Sequence, residues 1–524
     1  MFDLILRNGT VVDGTGAPSV KADVGIVGDR IAAVEVLPTD VEARKTLDCS
    51  GLVVAPGFID IHTHADIALL NSPEHLAKVM QGVTTEVFSN CGLGFAPVTD
   101  AGMEIQRRYI AGLFGDSEAH DDEDKPRVDW SWCRVNELLE RYETAGIGTN
   151  VAYLIPHGAV RVSVMGMQER PATSEELAAM ERMVLEGMAE GAWGLSTGLW
   201  YAPMRSAAHE ENVRLCKAAG FFATHQRDYG ERLFEATLES LQIAREAQVP
   251  VQIAHLQMNG VQNRGRAPEL LEVLEQARAE GIDVTCDTYP YTAGSTFVQS
   301  LLPERFVEGG PEALLRRLHD AEERKAIVEA LNDGRDWSIY VLSGATSPAN
   351  AALEGLPFSE AAARRGLTVG EWICALLEEE QLRACFIHHA AHEENVRTIL
   401  QWEHQMVGSD GLHLPGKCHP RLFGTFPRVL GRYVREERVL SLEQAIHKMS
   451  GAPAARLGLP RRGLLKAGYA ADIVVFQPQT IQDRATFENP REYPDGIVHV
   501  LCNGVFVVEE GRPTKARSGR VLKR

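Results

Sequence analysis

The sequence lacks long apolar segments, paired cysteine motifs and an excess of basic residues, and each absence excludes a class of protein. No stretch approaches the roughly 18 apolar residues of a transmembrane helix. The N-terminus carries an acid, Asp3, within only a short apolar run, unlike a secretory signal. The nine cysteines show no CxxC spacing, so we expect a reducing, cytoplasmic environment rather than a disulfide framework.

Basic residues are in deficit, because 53 Lys and Arg face 72 Asp and Glu and give a formal net charge of −19. A chain this acidic repels phosphate groups, so neither nucleic acid nor an anionic membrane is an expected partner. A hydrophobic content of 44% and a charged content of 24% are typical of globular proteins. The length of 524 residues indicates two or three domains. The sequence leaves the oligomeric state open.

The two ends of the chain have the same β-rich pattern. Residues 1–55 contain short apolar runs separated by Asn8-Gly9 and Asp13-Gly14, which are typical hairpin turns. Residues 456–524 contain an apolar run at 470–476 and another Asn-Gly turn at Asn503. Neither end would bury much apolar area alone. We therefore expect both ends to fold together as a small β-sandwich domain.

The middle of the chain, residues 56–455, alternates strand-like and helix-like stretches and predicts a parallel sheet with helical crossovers. Helical patterns such as 174–190, which opens with the capping-box pair Thr173 and Glu176, lie between most of the strand candidates. The eight strand candidates are 57–62, 84–90, 150–155, 192–197, 221–225, 250–255, 282–287 and 405–409. Eight such units predict an α/β fold with a (β/α)8 TIM-like barrel.

The gap between the seventh and eighth strand candidates is too long for one crossover. We therefore expect residues of about 292–400 to form an inserted lid subdomain over the barrel mouth. The acidic run at 116–125 is expected to be a solvated loop.

Side chains that can bind a metal or carry a proton follow several of these strands. They are His62, His64, Cys91, His225, His255 and Asp410. Taken singly, each has an ordinary structural explanation, such as a hydrogen-bonded core histidine or a small buried thiol. Because the C-terminal ends of parallel barrel strands face one mouth, however, their joint placement predicts a shared metal site.

This set of imidazole, thiolate and carboxylate ligands suits zinc, with cobalt, nickel or manganese as alternatives. A bound metal lowers the pKa of its water and polarises a carbonyl oxygen. Asp410 would act as the general base on that water and pass the proton to a leaving amine. The pattern therefore predicts metal-assisted hydrolysis of an amide-type bond.

The His-x-His strand, the later histidines, Asp410 and the segment 468–472 resemble the amidohydrolase superfamily. Six further motifs resemble more closely its D-aminoacylase (N-acyl-D-amino-acid deacylase) family, and the resemblance runs nearly end to end. These are Ser-Asn-Cys-Gly at 89–92, Gly-Leu-Ser-Thr-Gly-Leu at 194–199, His-Gln-Arg-Asp at 225–228, Tyr-Pro-Tyr at 289–291, Gly-Ser-Asp-Gly at 408–411 and the long run at 419–431. The resemblance implies hydrolysis of linear N-acyl-D-amino acids to a carboxylate and a free D-amino acid.

The resemblance also implies roles for the metal-site residues. Cys91, His225 and His255 match the ligands of one tightly bound zinc. His62 and His64 match a second, weaker metal position. Asp410 matches the catalytic acid and base.

The resemblance assigns substrate contacts as well. Arg421 matches an arginine that grips the substrate carboxylate, a task that suits a guanidinium fork. A tyrosine of the Tyr-Pro-Tyr segment should assist; Tyr289 is favoured, and Tyr291 remains an alternative. Gln257 stands where the family usually has a lysine near that carboxylate, so the preference for the side chain and acyl group stays open.

Two other functions are alternatives for this fold. A cyclic-amide hydrolase of the hydantoinase or dihydroorotase type usually bridges two metals with a carboxylated lysine on strand four, but residues 193–198 contain no lysine. In the D-aminoacylase branch a cysteine, here Cys91, takes the bridging place. A catalytically inactive scaffold of the same fold would be expected to lack ligands, whereas this ligand set is complete.

Overall fold

The computed structural model describes residues 1–114 and 128–524, so the acidic run at 116–125 lies outside the described residues. The chain begins with five strands. They are β1 Phe2–Val11, β2 Val20–Val27, β3 Arg30–Glu35, β4 Ala43–Asp48 and β5 Val53–Pro56. The predicted hairpin at Asn8-Gly9 is wrong. Residues 2–11 form one strand with a register shift between Leu6 and Gly9, where Asn8 adopts a φ of 62°.

The middle of the chain contributes fourteen strands within the described ranges. They are β6 Phe58–Asp60, β7 Thr63–His64, β8 Val83–Phe88, β9 Asn150–Tyr153, β10 Ile155–Pro156, β11 Leu195–Gly198, β12 Phe222–His225, β13 Val251–Ile253, β14 Val284–Thr288, β15 Gly294–Phe297, β16 Tyr340–Ser343, β17 Cys385–His388, β18 Gln405–Val407 and β19 Gly411–Leu412. Four strands follow at the C-terminal end: β20 Ile473–Phe476, β21 Ile497–Cys502, β22 Val505–Glu509 and β23 Arg512–Pro513.

Helices separate most of the middle strands. They are α1 Ala68–Asn71, α2 Leu76–Val79, α3 Asp100–Ile110, α4 Val135–Ala145, α5 His157–Met165, α6 Ser174–Ala189, α7 His209–Ala219, α8 Leu233–Ala247, α9 Ala267–Ala279, α10 Glu304–Val307, α11 Gly310–His319, α12 Ala321–Leu331, α13 Pro348–Ala351, α14 Phe358–Arg364, α15 Val369–Glu379, α16 Glu393–Gln401, α17 Arg421–Arg428, α18 Leu442–Met449 and α19 Gly451–Leu457. The predicted capping box at Thr173 and Glu176 begins α6.

The middle strands pair in parallel. One sheet has the order β10-β11-β12-β13-β14-β18, a second has the order β6-β8-β9, and β7 pairs with β19. Each of the eight predicted strand segments overlaps at least one of these strands. Only Leu154 separates β9 from β10, so the two larger parallel sheets follow each other directly along the chain.

Between β14 and β18 the chain forms a separate antiparallel sheet of order β15-β17-β16, together with helices α10 to α15. Residues 310–331 of this segment form two helices, α11 and α12, rather than one. Asp320 lies between them, and its carboxylate accepts hydrogen bonds from the main-chain N–H groups of Glu322 and Glu323 at 3.0 Å each. This N-cap begins a new helix and so explains the break.

Strands from both ends of the chain share one nine-stranded sheet, in which β5 pairs antiparallel with β20. The C-terminal tail, which includes residues 520–522, then packs against the parallel strands. The N–H of Val151 donates to the carbonyl of Arg520 at 2.9 Å, and the indole of Trp193 donates to the carbonyl of Leu522 at 2.7 Å. The last residues of the chain therefore cover the end of these strands opposite to the predicted site.

Two further properties bear on the sequence expectations. All nine cysteines lie in the described part of the chain and are free thiols, eight of them buried. Within the described ranges, no helix has the length and hydropathy needed to cross a bilayer.

Candidate metal centre

The six predicted residues all lie at or just after the C-terminal ends of parallel strands, and they are buried. His62 follows β6, His64 ends β7, Cys91 follows β8, His225 ends β12, His255 follows β13 and Asp410 lies between β18 and β19. The structure brings all six together. One ligand atom from each of Cys91, His225 and His255 lies within 4.8 Å of the others, and two further trios overlap with this one.

Cys91 lies between two of the histidines. Its Sγ is 3.3 Å from Nε2 of His62 and 3.4 Å from Nε2 of His255. The trios His62, His64 and Cys91, and His62, His255 and Asp410, meet the same distance limit. Cys91 and His62 thus connect two adjoining positions, each with enough donors to hold an ion.

The imidazole of His225 provides a test of whether these residues fit a metal. It is buried, and neither Nδ1 nor Nε2 has a hydrogen-bond partner among the described residues. Its ring lies 4.6 Å from that of His255 and stacks on Trp200 at 5.8 Å. Buried nitrogens without partners are costly. The combination of these nitrogens with a thiol and further imidazoles fits a zinc-like ion.

Burial favours the uncharged form of three of these donors. It raises the pKa of the Cys91 thiol to about 11 and lowers the pKa of His255 to about 4. It also lowers the pKa of His225 well below its ordinary value. A neutral imidazole is the metal-binding form, whereas the thiol must lose its proton when it binds a metal.

Asp410 lies beside the cluster and has polar contacts on two sides. Its Oδ1 is 3.2 Å from Nε2 of His64 and 3.6 Å from Nε2 of His62, and its Oδ2 is 2.9 Å from Nη1 of Arg421. Burial raises its pKa, but the charge of Arg421, together with the hydrogen bond to His64, outweighs this effect and holds the pKa well below its usual range. Asp410 is therefore an anion at neutral pH.

The backbone at the site is strained. Cys91, His255 and Asp410 have φ angles of 58°, 31° and 49°, a region that residues other than glycine rarely adopt. Close packing also requires glycine nearby, because a Cβ on Gly198 would lie 2.1 Å from the carbonyl oxygen of Cys91. Strain of this kind concentrates at functional sites, where the surrounding fold holds it in place.

A cavity of about 490 Å³ opens onto this cluster. The predicted substrate residues Tyr289 and Gln257 line it, and Nε2 of Gln257 donates to Oγ1 of Thr288 at 3.1 Å. The segment between β15 and β18 supplies further lining residues. They include Arg335, Tyr340, Phe386 and His388.

Arg421 is fully buried against two residues that line the cavity. Its guanidinium carbon is 4.5 Å from the ring centre of Tyr289, and its Nη1 contacts Asp410. Its Nε has no hydrogen-bond partner among the described residues. Tyr291, the alternative to Tyr289, instead has its ring 4.7 Å from the guanidinium of Arg428. Of the two tyrosines, Tyr289 is the one at the cavity.

Sequence reasoning missed one carboxylate at the site. Asp287, which lies within β14, has its Oδ1 3.1 Å from Nδ1 of His62 and accepts a hydrogen bond from the N–H of His255 at 2.7 Å. Its Oδ2 accepts a hydrogen bond from Nε2 of Gln252 at 3.1 Å. An acid at the end of the predicted strand 282–287 was the signal that could have pointed to it.

The chain is similar to known proteins over its whole length. A model described as the amidohydrolase family matches residues 45–332 and 370–508. The D-aminoacylase of Alcaligenes xylosoxydans xylosoxydans is 38% identical over 527 residues, which cover 100% of this chain and 98% of that protein. The chain belongs to the amidohydrolase family.

Two solved structures resemble the chain over its whole length. A D-aminoacylase structure that concerns the binuclear metal centre of that enzyme matches with a TM-score of 0.84 and 38% identity, and covers 100% of both chains. An N-acyl-D-glutamate deacylase from Bordetella bronchiseptica, complexed with zinc and a phosphonate mimic of the tetrahedral intermediate, matches with a TM-score of 0.83 and 32% identity, again over 100% of both chains.

Proposed function

We propose that this chain is a zinc-dependent deacylase that hydrolyses the amide bond of N-acyl-D-amino acids and releases a carboxylate and a free D-amino acid. The observation that carries the proposal is the buried cluster of Cys91, His225 and His255 beside an ionised Asp410. The full-length similarity to D-aminoacylase and to N-acyl-D-glutamate deacylase supports the same reaction.

In this proposal Cys91, His225 and His255 would hold one zinc ion tightly, while His62 and His64 would provide a second, weaker position. The overlap of the trios at Cys91 and His62 supports two adjoining positions. When bound, zinc lowers the pKa of a water molecule and polarises the substrate carbonyl.

Asp410 is the general base and acid. Its Oδ1 accepts a proton from the attacking water and then donates it to the amide nitrogen, so that the amino acid leaves as a neutral amine. Its low pKa makes the carboxylate available at neutral pH, and its contact with Arg421 fixes the orientation of Oδ2. Such a positioned proton carrier accelerates hydrolysis by about 10² to 10⁴.

The substrate carboxylate binds near Arg421 and Tyr289. The Nε of Arg421, which has no partner among the described residues, supports this role because it leaves a charged donor for an anion. Gln257 lines the same cavity with a neutral amide, so it contributes a hydrogen bond rather than a charge. The ligand of this chain is accordingly a small N-acyl amino acid.

For the architecture, we propose that residues 56–455 form a closed (β/α)8 barrel with a lid subdomain at about 292–400. The parallel sheets and the pairing of β7 with β19 support closure. Residues 1–55 and 456–524 would form the β-sandwich domain, as their shared sheet supports. The nine free thiols suit the cytoplasm, and the net charge of −19 disfavours nucleic acid as a partner.

The proposal is tested by a panel of N-acetyl-D-amino acids, their L-forms and ring amides of the hydantoin type, with the metal content measured on the same preparation. We expect a zinc-like ion and release of free amine from the D-forms, with little activity on the L-forms or rings. Preferential opening of rings would instead assign a cyclic-amide hydrolase. Absence of both metal and turnover would indicate an inactive scaffold.

A further inference from the structure

A buried lysine lies next to the site, although it contacts none of the proposed ligands. Lys78, on α2, is fully buried, and its Nζ is 2.6 Å from Oδ2 of Asp60 and 2.6 Å from Oγ of Ser409. A third acceptor, Oε1 of Glu86, is 3.9 Å away. A buried ammonium needs partners of this kind, because desolvation without them is very unfavourable.

These three partners belong to the strand segments that lead to the site. Asp60 ends β6 and precedes His62 by two residues, and Ser409 is adjacent to Asp410. Glu86 lies on β8, the strand that leads to Cys91. One ammonium group therefore joins three segments. They carry the proposed metal ligands His62 and Cys91 and the proposed general base Asp410.

The hydrogen bonds around Ser409 show how this connection reaches Asp410. The N–H of Ser409 donates to Oδ1 of Asp60 at 2.8 Å, and its hydroxyl donates to Oδ2 at 2.6 Å. The hydroxyl also accepts from the N–H of Gly411 at 3.0 Å. Asp410, which lies between these two residues, donates its N–H to the carbonyl of His62 at 2.7 Å. The turn that carries Asp410 is thus held on both sides, with Asp410 itself at a φ of 49°.

We propose that Lys78 is a positioning residue, which acts through Asp60 and Ser409 to fix Asp410 relative to His62. The carboxylate of Asp410 lies 3.6 Å from Nε2 of His62, and a catalytic group must be held within about 0.5 Å of its productive position relative to its neighbours. The inference rests on the proposed deacylase function. A displacement of about 1 Å in such a site can lower turnover about 100-fold.

The experiment compares Lys78→Met, Ser409→Ala and the double variant Asp60→Asn/Lys78→Met with the wild-type enzyme. Lys448→Met is the matched control, since Lys448 is also a buried lysine on a helix but donates to the main-chain carbonyls of Trp402 and Gln405. For each variant, kcat, KM, the melting temperature and zinc content are measured with N-acetyl-D-amino acids. The absorption spectrum of the cobalt(II)-substituted enzyme reports the ligand geometry without turnover.

We expect Lys78→Met to lower kcat about 100-fold and Ser409→Ala at least fivefold, with little change in KM and with zinc retained. The cobalt(II) spectrum should change in Lys78→Met and not in Lys448→Met. The double variant, which removes both charges, should regain stability but not kcat. If Lys78→Met does not fold, Ser409→Ala decides, because it leaves the pair of Lys78 and Asp60 in place.

The inference is overturned if the folded single variants keep kcat within fivefold of wild type, or if the double variant regains kcat together with stability. The latter result would mean that Lys78 only neutralises Asp60. If the wild-type enzyme hydrolyses no N-acyl-D-amino acid, the proposed function fails separately. The cobalt(II) spectra of Lys78→Met and Lys448→Met, each compared with the wild-type spectrum, then decide whether Lys78 positions the site. A change in Lys78→Met alone supports the inference, and a wild-type spectrum in both variants overturns it.

Discussion

Asp287 joins two of the proposed metal ligands, since one of its oxygens lies 3.1 Å from Nδ1 of His62 and accepts the N–H of His255. The first contact leaves Nε2 of His62 directed at Cys91, 3.3 Å away. The second holds the main chain of His255 at its unusual φ of 31°. A carboxylate that orients a ligating imidazole in this way is a common companion of bound metals.

The variant Asp287→Asn should therefore weaken metal binding without loss of a ligand. We expect an affinity about 10- to 100-fold lower, because the amide holds His62 less firmly and carries no charge. Competition with a chelator, followed by metal analysis, measures this change. Glu239→Gln, on the half-exposed ion pair with Arg227, is a control that should bind metal normally. Wild-type affinity in Asp287→Asn would contradict the role of Asp287.

The variant Asp410→Asn should lose most activity and keep its metal. The amide has nearly the same shape as the carboxylate but cannot accept the proton, so kcat should fall by about 10² to 10⁴. Steady-state kinetics and zinc content on one preparation test this prediction. Retention of activity in a variant with normal zinc content would show that another group carries the proton.

The variant Gln257→Lys should improve binding of the substrate carboxylate. Gln257 lines the cavity, and a lysine at this position adds a positive charge within it. We expect KM for N-acetyl-D-amino acids to fall several-fold, with a smaller change in kcat. Gln257→Met, which has similar length but no charge, is the control and should not lower KM. An unchanged KM in the lysine variant would place the carboxylate elsewhere.

His388 should make the segment between β14 and β18 sensitive to acid. Burial, together with His389 and Arg335, lowers its pKa from an ordinary value of 6.5 to about 4, and its ring stacks on Tyr340 at 4.3 Å. Between pH 6.5 and 4 the unfolded chain binds a proton here that the folded chain does not. The stabilisation present above pH 6.5 is therefore lost progressively as the pH falls towards 4.

The variant His388→Phe keeps an aromatic ring against Tyr340 and removes the titration. Its melting temperature should fall less than that of the wild type when the pH is lowered from 7 to 4. Parallel thermal unfolding curves at several pH values measure the difference. Identical pH dependence in the two proteins would show that His388 does not contribute.

Local patterns in the sequence were sufficient to predict the strand segments. They also identified the six residues that the structure gathers at one end of the parallel strands. His62 and His64, for example, could be placed at a strand end because an apolar run stops directly before them. The contacts of Asp287 and Lys78 could not be predicted in this way. Each depends on the register between segments far apart in the chain, and the sequence pattern does not specify which acid faces which ring or ammonium.

Local patterns in the sequence also failed to predict the backbone conformation at two places. The Asn8-Gly9 pair is typical of a hairpin, yet the pairing of β1 with β2, β4 and β5 keeps residues 2–11 in one strand. Similarly, nothing in the sequence near Asp410 indicates a φ of 49°, which the surrounding hydrogen bonds impose. Tertiary contacts decided the conformation in both cases.

The pairing of β5 with β20 has a consequence for synthesis of the protein. Residues 53–56 are made early by the ribosome, but their partners at 473–476 follow more than 400 residues later. During most of translation the edge of β5 that pairs with β20 is therefore unpaired and accessible to other nascent chains. Efficient production should thus depend on slow supply of new chains or on chaperones that shield this edge until the polypeptide is released.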